Sequence, residues 1–265
     1  MTLNAALRRY CKHVLYEGAR PVGLRHRLDD VRRMARSLRT DKPVSTPPHS
    51  LALYRDLLTS IVNDPRCKAW SLAEYALEEN RSQERVNVVL RHDLDAGDPH
   101  VSRGLCEVER ALDLRSSVHI LVDGQLYDPV RLNDVARELH AEGFDVGLHT
   151  QAWMHEDFAA AFHRDLDRFE SLFGFSPRTF SQHGAWPRTD ADLARRRRFT
   201  LETPNLIRGT TLVGAPQSFD WVSEDSCVAN QPVPITTRFF DVASGCFLGG
   251  VALILTHDNH WKLES

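Results

Sequence analysis

The segment Val88-Val89-Leu90-Arg91-His92-Asp93-Leu94-Asp95 passes directly from apolar residues into two acids and a histidine. Two carboxylates separated by one residue on an extended chain point to the same side. Held that close they repel, which favours a cation between them or a raised pKa on one, and either outcome serves hydrolysis. Two more apolar segments finish on histidine, Phe144-Asp145-Val146-Gly147-Leu148-His149 and Val251-Ala252-Leu253-Ile254-Leu255-Thr256-His257, and His183 closes a further one. Imidazole and carboxylate ligands together suit Zn²⁺ and other first-row divalent ions, and a catalytic site needs about three protein ligands with a position left for water. Acids and histidines at several strand ends therefore point to a metal hydrolase. Each residue also has a plainer role: Arg91 and His92 could pair with the two acids in a structural network, and a lone histidine can simply be hydrogen-bonded at a strand end.

Short β-branched runs bounded by polar residues read as buried strands. Strands are expected to end at Asp95 and to cover 117–122, 145–149 and 178–183, with shorter pieces near Thr211, Phe219, Ile235 and Val251. Helices are expected around 51–62, 99–112, 130–142, 156–173 and 190–197. This alternation implies parallel strands with helices outside. An α/β sheet or barrel of that kind places its chemistry at the C-terminal strand ends, where the acids and histidines fall.

Residues 1–48 are arginine-rich and lack a strand pattern, and they read as an N-terminal helical extension closed by the loop around Pro43, Pro47 and Pro48; residues 49–265 form the catalytic body. The basic positions Arg8, Arg9, Lys12, Arg32, Arg33 and Arg36 suit a solvated helix face, or a contact with phosphate or an acidic partner. Arg195-Arg196-Arg197-Arg198 falls at the expected C-terminus of a helix, where cations complement the dipole.

The chain has 265 residues, 42% of them hydrophobic, enough for one sizeable core. A net charge of −3 and a pI near 6.5 give no general attraction to nucleic acid or an anionic surface. No window approaches the roughly 18 apolar residues of a spanning helix, so no stable membrane insertion is expected. The first residues turn basic before any sustained apolar run, which leads to the expectation of a cytoplasmic protein. Five cysteines without a C-x-x-C pair indicate neither a disulfide framework nor a zinc knuckle. Nothing in the pattern sets the oligomeric state.

The motifs Leu90-Arg91-His92-Asp93-Leu94-Asp95, Val146-Gly147-Leu148-His149-Thr150 and Ile254-Leu255-Thr256-His257-Asp258, with Ser181-Gln182-His183-Gly184, resemble those of the polysaccharide deacetylase superfamily. That superfamily is also called NodB-homology or carbohydrate esterase family 4, and the likeness is to a divergent branch reading Arg-His-Asp-x-Asp. It covers roughly residues 85–260. The resemblance implies an α/β fold, a deformed (β/α)7-type barrel. By the same resemblance Asp93 matches the catalytic base, Asp95 and His149 match metal ligands, and His257 matches the acid that protonates the leaving amine. The implied cofactor is a divalent metal, Zn²⁺ first, with Co, Ni or Mn as alternatives.

One position departs from the pattern. The family's second motif carries another ligand four residues after its first histidine, one helical turn on, and here that residue is Trp153. His183 is the preferred replacement, with His155 as the competing candidate. Arg91, Trp153 and Asp225 are candidate substrate contacts: Trp153 as a flat wall for a sugar ring or as core packing, Asp225 as a late acid in the barrel or as part of a turn. The implied activity is removal of an acetyl group from an N-acetylated sugar, such as an intermediate of surface-polysaccharide or O-antigen assembly. The alternatives are an amidohydrolase on a non-sugar C–N bond, and a catalytically silent carbohydrate-binding or scaffold protein of the same fold.

Overall fold

The computed structural model describes residues 49–77, 82–124, 126–183, 189–207, 211–214, 221–224 and 249–263, with 221–224 described by backbone alone. The expected N-terminal extension, the expected strand near Ile235, and Asp225 lie outside the described residues. In chain order the elements are β1 (His49–Ser50), α1 (Leu51–Asn63), β2 (Cys67–Trp70), α2 (Leu72–Leu77), β3 (Val86–Leu94), α3 (Pro99–Arg110), β4 (Ser117–Leu121), α4 (Asn133–Ala141), β5 (Asp145–Thr150), α5 (Phe158–Phe173), β6 (Thr179–Gln182), α6 (Asp190–Leu206), β7 (Val213–Gly214), β8 (Trp221–Glu224), β9 (Val251–His257) and β10 (Trp261–Lys262).

The main sheet runs β7-β6-β5-β4-β3-β9-β8, and every pairing in it is parallel. Consecutive strands are neighbours from β3 to β7, and β9 returns to pair with β3. Read as a circle, this is chain order with the first strand beside the last, the arrangement of a seven-stranded β/α barrel. Among the described residues the circle is open between β7 and β8. β9 takes one edge of β3 from Asn87 to Asp93, so β2 and β4 share the other, β2 along 86–89 and β4 along 91–94. The fold is therefore α/β, with parallel strands curled into an open barrel and helices outside.

Alternation along the strands divides the interior from the shell. Even-numbered residues of β3 and β9 (Val88, Leu90, Ala252, Ile254) pack outward with Tyr54, Leu57, Leu58 and Ile61 of α1 and Val101, Leu105 and Val108 of α3. Val118, Ile120, Val146, Leu148 and Phe180 pack in a second cluster with Phe162, Phe169 and Phe173 of α5. The odd-numbered residues face inward, and their polar members form the site described below.

Local chemistry sets the helix ends. Asp98 caps α3, its carboxylate accepting the N–H groups of His100 and Val101, with Pro99 at the first helical position, where a missing N–H loses nothing. Asp157 caps α5, which ends on Gly174 in the left-handed region at φ 79°. The helix expected over 130–142 splits into a 3₁₀ turn, Pro129–Leu132, followed by α4. α6 runs past the arginine run to Leu206, because Phe199 and Thr203 continue its buried face. Arg195–Arg198 consequently sit in mid-helix and form local ion pairs, Arg195 with Asp192 and Arg198 with Glu202, instead of facing a helix C-terminus. Cys67 and Cys106 are buried and form no disulfide. No helix among the described residues is long and apolar enough to cross a membrane.

Candidate active site

β3 presents Arg91, Asp93 and, one residue past its end, Asp95 to the barrel interior. Arg91 Nη2 donates to Asp93 Oδ2 over 2.9 Å in a buried ion pair. His92 points the opposite way: Nδ1 meets Thr256 Oγ1, Nε2 lies 2.8 Å from Glu109 Oε1, and Tyr54 also donates to Glu109. Of the two partners considered for the acids, only Arg91 pairs with one of them. His92 belongs to a separate buried cluster with Glu109 and Cys106 under α1 and α3.

β5 contributes His149, whose Nε2 lies 3.6 Å from both Asp93 Oδ2 and Asp95 Oδ1. β6 brings His183 to the same point. Its backbone is held from both sides, its N–H donating to Thr150 O over 2.8 Å and its carbonyl accepting Trp153 Nε1–H over 2.6 Å. Trp153 is 3% exposed. The indole at the position where the resemblance expects a ligand thus packs in the core and supports the histidine from the next strand. His155 is exposed and outside this group.

Asp95 Oδ1, His149 Nε2 and His183 Nδ1 converge. His183 Nδ1 is 3.0 Å from His149 Nε2 and 3.1 Å from Asp95 Oδ1. With the 3.6 Å from His149 to Asp95, these are close to the edge of about 3.3 Å that ligand atoms span around a tetrahedral zinc with bonds near 2.0–2.1 Å. Asp95 Oδ1 is buried without an assigned hydrogen-bond partner, and His183 Nδ1 faces it at 3.1 Å. A buried carboxylate oxygen beside two imidazole nitrogens fits a divalent cation by both chemistry and spacing.

The remaining groups surround this point. His257, half-buried at the end of β9, is in register with Asp93 across the sheet. Asp258 accepts the N–H groups of Ala96 and Asp98, both at 2.8 Å, and so ties the loop after β3 to the end of β9. Burial by itself would raise the Asp93 carboxyl, but Arg91, His149, His119 and His257 outweigh it and hold the group well below the usual carboxylate range. Burial works the same way on Asp95, where His183, His149 and His257 prevail and lower it. Both acids are thus ionised around neutrality, acceptors for a cation or a proton.

Burial disfavours a charged His149 and, against the attraction of Asp93 and Asp95, lowers its pKa from 6.5 to about 4. Between those values the unfolded chain binds a proton that the folded chain does not, so stability rises with pH across the window and falls as pH drops through it. His149 alone accounts for about 3 kcal/mol. His119, fully buried, shifts in the same direction. The metal-free protein is therefore expected to lose thermal stability between about pH 6.5 and pH 4; a Tm that stays level over that interval would contradict this assignment.

His119, Ser181, Thr179 and Asp145, to which the strand-end motifs assign no role, line the interior beneath the site. The signal was available as polar residues at alternating positions in successive strands (117, 119; 145, 149; 179, 181, 183), which marks a polar barrel interior.

No family model matches the chain, and no curated protein matches it. Among solved structures it is similar to the catalytic domain of peptidoglycan N-acetylglucosamine deacetylase from Eubacterium rectale, at 15% identity over 65% of this chain and 76% of that one, with a TM-score of 0.45. It is also similar to the polysaccharide deacetylase Bc1974 from Bacillus cereus, at 17% identity over 66% of this chain and 81% of that one, with a TM-score of 0.41.

Proposed function

We propose that this chain is a metal-dependent hydrolase that removes an acetyl group from the nitrogen of an N-acetylated sugar. The observation that carries the reading is the convergence of Asp95, His149 and His183 at the barrel rim, with Asp95 Oδ1 buried beside the two imidazoles. These three residues would hold the ion. A bound Zn²⁺ would polarise the acetyl carbonyl and lower the pKa of a water toward about 7. In this reading Asp93, kept ionised by Arg91, takes the proton of the attacking water, and His257, on the strand beside Asp93, protonates the departing amine. The sugar and C–N bond assignments follow the motif resemblance; metal-assisted hydrolysis is what the side chains support.

The test is acetate release from a panel of N-acetylated amino sugars and non-sugar amides by Zn²⁺-, Co²⁺- and Mn²⁺-loaded protein. Turnover on sugars supports the reading. Turnover confined to non-sugar amides replaces the substrate class, and metal binding without turnover on any member of the panel favours a silent binding protein.

A further inference from the structure

Beneath His149 the barrel interior holds an unbroken chain of short polar contacts. His149 Nδ1 is 2.7 Å from Ser181 Oγ, and Ser181 Oγ is 2.6 Å from His119 Nδ1. His119 Nε2 is 2.9 Å from Thr179 Oγ1, and Thr179 Oγ1 is 2.9 Å from Asp145 Oδ2. We propose that this chain is a relay that fixes the tautomer of His149, presenting its Nε2 lone pair to the metal, and that Asp145, Thr179, His119 and Ser181 are positioning residues for that ligand. The inference rests on the reading of Asp95, His149 and His183 as a metal site.

The direction of the relay follows from proton counting. Asp145 Oδ2 is approached by three donors: Ser117 Oγ, whose own oxygen already accepts Leu72 N–H, the Ala73 N–H, and Thr179 Oγ1. As a carboxylate Asp145 can only accept, so the Thr179 proton points to it. Thr179 Oγ1 must then accept from His119 Nε2–H. His119 is fully buried and holds a single ring proton, so its Nδ1 carries a lone pair and accepts the Ser181 hydroxyl. Asp93 Oδ1 is a competing acceptor for that hydroxyl, but at 3.5 Å against 2.6 Å, and choosing it would leave two lone pairs facing each other between Ser181 and His119. Ser181 Oγ therefore accepts from His149 Nδ1–H, and His149 Nε2 is left with its lone pair. The 3.0 Å contact of His183 Nδ1 with that same Nε2 is compatible with this tautomer, His149 accepting when His183 Nδ1 carries the proton.

A second feature belongs to the relay. Gly147, in register with His119 on β5, is where the His119–Thr179 bond passes. A Cβ there would come within 2.5 Å of His119 Cδ2 and Thr179 Oγ1 and within 2.7 Å of His119 Nε2. A strand glycine marks such a close approach, and any side chain at this position would displace the link.

The test uses the full chain, metal-free and ¹⁵N-labelled at histidine, with long-range ¹⁵N–¹H spectra reading the tautomer of each ring, followed by Zn²⁺ titration calorimetry on the same samples. Wild type is expected to show His149 protonated at Nδ1 and His119 at Nε2. Thr179→Val keeps the shape but removes the hydroxyl; it should lose the single His119 tautomer and weaken Zn²⁺ binding about 10-fold, the effect of removing an outer support of a ligand. Thr179→Ser should restore both. Wild type with His149 protonated at Nε2 overturns the relay without recourse to any variant, as does Thr179→Val with wild-type tautomers and affinity. Wild type that binds no Zn²⁺ overturns the metal reading instead, while its spectra still report the hydrogen-bond directions.

Discussion

Asp95→Ala/His149→Ala protein is expected to come through chelator-free purification without stoichiometric divalent metal, whereas wild type retains it. Loss of a single outer support weakens metal sites 10–100-fold, so loss of two of three direct donors should lower Zn²⁺ affinity by more than about 100-fold. The residual donor, His183, cannot hold the ion alone. Elemental analysis with a parallel melting curve makes the comparison. Unchanged metal content in the double variant would place the ion elsewhere, and the other buried group of ligand types among the described residues, His92, Cys106 and Glu109, would be the next to substitute.

Asp93→Asn is expected to reduce turnover by about 10²–10⁴-fold, the usual contribution of a positioned base. It also removes the charge partner of Arg91, whose side chain is 10% exposed, and leaving a buried charge unpaired costs about 3–5 kcal/mol. Activity must accordingly be measured well below the lowered Tm. Adding Arg91→Met removes the stranded guanidinium and should recover much of the stability but none of the turnover. That split assigns Asp93 to the chemistry. Turnover that returns with the stability would make the carboxylate a structural partner of Arg91, and full activity in the single variant would exclude it as the base.

The strands that carry the site were legible because each is a short apolar run stopped by acids or histidine, and a parallel sheet brings such ends to one rim. Asp95, His149 and His183 were named from those ends, and the structure brings them within 4.8 Å of one another. The partners of those residues were far less legible. Glu109 meets His92 from a helix and Tyr54 from another, and no local pattern announces contacts set by helix packing on a sheet. Trp153 carried a correct apolar signal and an ambiguous role, since an indole N–H finding the His183 carbonyl depends on the path of a neighbouring strand. The arginine run hid the length of α6, because four consecutive charges obscure the spacing of Phe199 and Thr203 that continues the helix.

β3 joins the site to the rest of the sheet, and its position has a consequence for how the chain reaches its native state. All nine of its residues are buried, and the partner on one edge, β9, arrives 164 positions later in the sequence. Closing a loop of that length carries an entropic penalty of roughly 4–5 kcal/mol, and such non-local parallel pairing is slow. As the polypeptide emerges vectorially, β2 and β4 can dock early, but the β9 edge of β3 stays an open template until nearly all of these residues have been synthesised. An apolar strand with an unsatisfied edge is prone to pair with another nascent chain. The residue that completes the rim, His257, is thus delivered by the same late event that seals the aggregation-prone edge, so that assembly of the site and escape from misassembly are one step.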